Sequence, residues 1–148
     1  MPVLIQKEPF GITDEEYKNN LKKHPEFEKD FKSFMDSLVK NDSLVPEESE
    51  KEMDAFRVKV LQVSRFTMPE IRDMGQSDEY MAFIVGSDQV WNTTIGIVDE
   101  YFFLGFAPQH KRIALCPSFG AGNVHEYLRD EISDALNGFE ALSSREDE

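Results

Sequence analysis

Only one cysteine, Cys116, occurs in the 148 residues, so no disulfide can form within the chain. That usage makes the cytoplasm the expected compartment. Basic side chains are scarce: 16 Lys and Arg stand against 29 Asp and Glu, a net charge of -13. A surface of that sign repels phosphate backbones. The nearest approach to a basic patch is His110-Lys111-Arg112, so no nucleic-acid partner is expected. The acidity is uneven, with a net of -4 over residues 1–60 (14 acidic, 10 basic) and -9 over the rest (15 acidic, 6 basic), and it reads as solvated surface. Long apolar runs are missing as well. None approaches the ~20 residues of a membrane-spanning helix. The opening "MPVLIQKEPF" has one short apolar run before Lys7 and Glu8, which is not a leader-peptide pattern. His24, His110 and His125 show no metal-ligand spacing to one another or to Cys116. Internal repeats and low-complexity tracts are absent.

What is present falls into two textures. The first is helical. Thr13-Asp14-Glu15-Glu16 has capping-box spacing, and Tyr17 and Leu21 follow four apart. Pro25 should stop that helix, with His24 pushed to extended angles. Phe27, Phe31, Phe34, Met35 and Leu38 then line one face of a second helix, which should pack on a core. "KNDSLVPEESEKE" (40–52) reads as a linker into a third helix, with Pro46 in its first turn and Met53, Phe56 and Val60 at helical spacing. Residues 64–80 read as a loop, a short helix begun near Pro69, and a second loop.

After Tyr80 the texture changes. "MAFIV" (81–85) is a short continuous apolar run, as a strand covered on both faces would be. "YFFLGF" (101–106) reads as extended and "KRIALC" (111–116) as a second buried strand, which makes Cys116 a buried, inert thiol. Residues 124–139 form an amphipathic helix ending near Gly138, and "EALSS" (140–144) is a third strand. Strand, crossover helix and strand give an α/β class with a largely parallel sheet: residues 81–85, 112–116 and 140–144 should be neighbours, with the 124–137 helix on one face. The single tryptophan, Trp91, should be a core anchor.

In such a sheet ligands sit at the carboxyl ends of the strands. There this chain places Ser87 and Asp88, then Ser118 with Gly120 and Gly122, then Arg145. Ser87 and Asp88 at that place serve either as turn caps or as ligand contacts. Gly120 and Gly122 serve either as turn residues or, through free N–H groups ahead of a helix, as an anion cradle. Arg145 either pairs with Glu146 or grips a carboxylate or phosphate.

Four blocks carry a resemblance: "AFIVGSDQVWN", "YFFLGFAP", "KRIALCPSFG" and "FEALSSRE", in that order and spacing. Together they resemble the signature series of the polysaccharide pyruvyl transferase family, over roughly residues 50–148. The resemblance implies a Rossmann-like parallel sheet with flanking helices, part of the N-terminal half of a glycosyltransferase-B-like fold. It divides the chain into a helical N-terminal segment, 1–45, and a partial transferase domain, 46–148. It implies transfer of pyruvyl from phosphoenolpyruvate to sugar hydroxyls of a surface polysaccharide or its precursor, with no redox cofactor and no obvious metal. Ser87, Asp88, Ser118, Gly120 and Arg145 become the expected substrate-binding residues. Gly105, Pro117 and Thr93 depart from the family pattern, and the family's opening Gly-Asn-x-Gly-Asp loop has no counterpart. The family's catalytic histidine falls outside the matched blocks, so the chain alone is expected to be inactive. The alternative is a non-catalytic paralogue that serves as a binding or interaction module.

Overall fold

The computed structural model describes residues 2–9, 11–40, 47–120 and 124–146, with the Glu47 side chain left aside. The chain opens with a strand the sequence reading did not anticipate, β1 (Ile5–Glu8). Helix α1 (Asp14–Lys23) starts on the expected capping box: the Glu16 N–H donates to Thr13 Oγ1 at 3.2 Å, and the Thr13 N–H donates to Glu16 Oε2 at 2.7 Å. It stops at Lys23 because Pro25 forces His24 to φ -134°, ψ 91°. Helix α2 (Phe27–Lys40) follows, and its first residue is the deepest. Phe27 is fully buried and meets Tyr17 and Phe31 at ring distances of 5.2 and 5.4 Å, which folds α2 back on α1. Further along α2 the stripe runs out of partners, and Met35 and Leu38 are exposed.

Helix α3 (Glu47–Lys59) shows the expected periodicity, but none of its described side chains is buried. Its foreseen proline, Pro46, lies outside the described residues. Residues 64–67 are not a loop. They form β2 (Ser64–Thr67), parallel to β1 from Ile5↔Ser64 to Glu8↔Thr67. Helix α4 (Met68–Gln76) begins directly after it, with Pro69 in the first turn as expected.

The three expected strands are neighbours and parallel, in the order β3 (Phe83–Gly86), β4 (Arg112–Leu115), β5 (Ala141–Leu142). All are shorter than the apolar runs that announced them. Among the described residues the crossover from β4 to β5 carries a 3-10 turn at Glu126–Leu128 followed by helix α5 (Arg129–Asn137), which Gly138 closes. Side chains in register on a parallel sheet share a face. Phe83, Val85 and Ala114 therefore point together into the core, where α4 brings Met68 and Ile71 and the turn after α5 brings Phe139. Ile84 and Leu115 point the other way and stay 66% and 59% exposed. The expectation that β3 and β4 are covered on both faces is thus corrected: a continuous apolar run was read as two buried faces, and among the described residues only one is covered.

Residues 101–106 are corrected too. They form consecutive turns, not an extended segment, with Leu104 at φ 53° and the Gly105 N–H bonded back to Glu100 O at 2.8 Å. A compact turn buries Phe103, Leu104 and Phe106 as well as a strand could, so an apolar hexapeptide alone does not choose between them. The Tyr101 hydroxyl donates to Ile5 O at 2.7 Å and fixes this block against β1. The run at 110–112 gives no basic surface patch: Lys111 is buried with its ammonium on Ser77 O at 2.6 Å, and Arg112 donates to Ala107 O. No described helix is long and apolar enough to cross a membrane.

Candidate functional site

The site is built where β3 and β4 end. Gly86 closes β3 against the neighbouring backbone: a Cβ there would stand 2.0 Å from Leu115 O, so only glycine permits the approach. The next residue, Ser87, turns the chain at φ 61°, and its N–H donates to Leu115 O at 3.0 Å. Cys116 occupies the matching place after β4, at φ 52°. Two non-glycine residues in the left-handed region, side by side at two strand ends, mark a strained edge. Cys116 is therefore not a buried strand residue. It is half-buried beyond β4, its N–H donates to Ser143 Oγ at 3.1 Å, and its sulfur lies 3.6 Å from that oxygen.

Past the strands the loops continue the ladder. The Ser118 N–H donates to Asp88 O at 3.0 Å and the Trp91 N–H to Ser118 O at 3.2 Å. The Arg145 N–H donates to Pro117 O at 3.2 Å. Trp91 pins the first loop from below. It is 1% exposed, stacks on Phe103 at 5.3 Å, and donates from its indole nitrogen to Phe102 O at 3.1 Å. The expected core anchor is thus present.

The five residues expected at the site fall on this one edge. Ser87 and Asp88 are exposed at its lip, where Asp88 Oδ1 accepts the Gln89 N–H at 2.7 Å. Ser118 is buried beneath them, 3% exposed. Gly120 turns at φ 77°, crowded by the Gln89 side chain where a Cβ would point. Arg145 is exposed, and among the described residues no acid pairs with its guanidinium. The remainder of the glycine turn, including Gly122, lies outside the described residues.

Sequence reasoning missed Glu146, which it weighed only as a partner for Arg145. Its carboxylate instead collects donors from two strand ends. Oε1 accepts the Ser118 hydroxyl at 2.6 Å and the Phe119 N–H at 3.1 Å, and Oε2 accepts the Ser144 hydroxyl at 2.5 Å. The Ser118 hydroxyl, with Ser144 next, holds the carboxyl down at a pKa of about 2. The signal was present as Ser and Glu on either side of Arg145, but their use depends on where β5 pairs.

Beside the edge a cavity of about 340 Å³ opens between the 88–93 loop and the 101–106 turns, with Gly11, Asp88, Gln89, Asn92 and Asp99 among its walls. Burial pushes the Asp99 carboxyl up, against the pull of Lys7. Lys7 is itself buried and committed to Gly11 O and the Glu16 carboxylate, both at 2.9 Å. Chemically, the edge offers N–H and hydroxyl donors in a cradle, one exposed guanidinium, and an adjoining cavity walled by Ile12, Ile95 and Phe102 as well as by the polar residues. Comparison with known protein families, with curated proteins and with solved structures found no match.

Proposed function

We propose that this chain is a polysaccharide pyruvyl transferase-like domain of Rossmann-like, glycosyltransferase-B type, taking phosphoenolpyruvate and a sugar acceptor. One observation carries the reading. Signature blocks far apart in sequence are stitched together at one strand edge, with Ser118 bonded to Asp88 O and Arg145 to Pro117 O. That supports a shared ligand site at the carboxyl ends of parallel strands. In this reading Arg145 grips the phosphate or carboxylate of phosphoenolpyruvate, Ser87 and Asp88 face the reacting end, and Ser118 beside Gly120 supplies a neutral donor once the ligand takes the place of the Glu146 carboxylate. Pyruvyl transfer also requires an acid at the enol carbon, and no histidine here stands where the resemblance places the family's. His24 contacts Glu131 at 2.8 Å and His125 contacts Thr94 O at 3.0 Å. The reaction therefore needs a group from outside these residues, and the domain alone binds without turnover.

The test is titration of phosphoenolpyruvate into the purified chain, followed by backbone amide shifts, for wild type and Arg145→Ala. Shifts at Ser87, Asp88 and Arg145 that weaken at least about tenfold in the variant are expected, the loss of one charge-assisted contact. Binding unchanged by the substitution would remove the reading. Turnover by the isolated chain, with a sugar acceptor present, would overturn the claim that it only binds.

A further inference from the structure

The donors that an anion would use at the end of β4 already hold one, and it belongs to the chain. Ser118 is 3% exposed, so its hydroxyl needs a protein acceptor. It finds Glu146 Oε1 at 2.6 Å. The Gly120 N–H donates to Ser118 Oγ at 2.9 Å, which leaves the hydroxyl proton free to point at the carboxylate. The Phe119 N–H reaches the same carboxylate oxygen at 3.1 Å, and the Ser144 hydroxyl takes the other at 2.5 Å. Three donors from two strand ends thus converge on one carboxylate. That is how a carboxylate or phosphate site is made without a cation.

We propose that Ser118, Phe119 and Ser144 form an anion cradle in which Glu146 sits as an internal ligand, and that an external carboxylate or phosphate enters when Glu146 swings out. This rests on reading the strand edge as an anion site, but not on pyruvyl transfer. Glu146 competes well because it is tethered two residues from Ser144, at high local concentration.

Acetate and inorganic phosphate are the probes, titrated separately into wild type, Glu146→Ala and Glu146→Ala/Ser118→Ala, with the Phe119 and Gly120 amides as readout. Glu146→Ala should bind at least one of the two on the order of tenfold more tightly than wild type, and the added Ser118→Ala should abolish the gain. The anion that gains identifies the chemistry the cradle takes. Equal affinity in wild type and Glu146→Ala overturns the proposal, as does a gain that survives Ser118→Ala. Should Glu146→Ala lose its folded amide pattern, Glu146→Gln carries the test, since the neutral amide keeps the bulk and drops the charge. Affinity equal to wild type in that variant overturns the proposal. Neither probe depends on Arg145 or on phosphoenolpyruvate, so the cradle can stand if the transferase reading falls.

Discussion

Helix α3 and the irregular stretch from Ser87 to Phe106 reverse the usual relation between regular structure and burial. Helix α3 is a regular helix of 13 residues, yet Met53 and Phe56 each stay 53% exposed. The 87–106 stretch contains no helix or strand, yet it buries Trp91, Thr93, Phe103, Leu104 and Phe106. Helical spacing ensures only that apolar side chains share a face. Burial needs a partner surface: the aromatic turns found one under β3, whereas among the described residues the apolar side chains of α3 stay exposed. Of the two, the better-packed region is therefore the one that looks like loop.

The sharpest way to break the contrast is Trp91→Ala, expected to cost about 3–5 kcal/mol in urea midpoint because a large, fully enclosed ring leaves a cavity. Asp88→Ala, three residues earlier but exposed, should cost about 1 kcal/mol or less, the loss of a turn acceptor. Similar midpoints for the two would dissolve the anchor assignment. Gly86→Ala should cost about 1–3 kcal/mol, since the new methyl meets Leu115 O and the strands must part. Its thermal melt should fall clearly below that of Ile84→Ala on the open face of the same strand.

Glu16 gives a pH-dependent test on the helical side. Burial alone would raise its carboxyl, but the Thr13 N–H and the Lys7 ammonium hold it below the usual carboxylate value. A depressed folded value means the stabilisation is complete above the ordinary Glu range and is lost as pH falls through the lower, folded one. Glu16→Gln should therefore show less acid sensitivity than wild type on melting from pH 6 down to pH 3. An identical acid slope would show that Glu16 is not linked to folding. The smallest effect is expected from Phe56→Ala on α3, within about 0.5 kcal/mol. A loss near that of Trp91→Ala would mean that α3 packs against something after all.

The α/β class, three neighbouring parallel strands and the place of the five edge residues were legible because they rest on local signals. Short apolar runs, a crossover helix between them and turn residues after them leave few alternatives. The strands β1 and β2 were not legible. "IQKE" and "SRFT" are short and polar, and they are strands only because each supplies hydrogen-bond partners to the other across more than fifty intervening residues. The 101–106 turns were missed because strand and compact turn bury the same aromatics. Ser118 could be placed at the edge from its position after an apolar strand, but Glu146 could not be placed in its cradle. Which acceptor a buried hydroxyl meets depends on the register of β5.

By itself the sequence determined where helices start and stop, because capping and proline sterics act within a turn of the chain. Thr13 begins α1 and Pro25 ends it whatever lies around them. It also determined which strand ends carry polar groups. The tertiary structure alone decided which face of the sheet is covered, whether an apolar stripe is buried or bare, and that a carboxylate from the end of β5 fills the donors at the end of β4. These outcomes depend on pairing and packing between residues far apart in the chain, and hydrophobic burial is non-directional until the partner surface is in place.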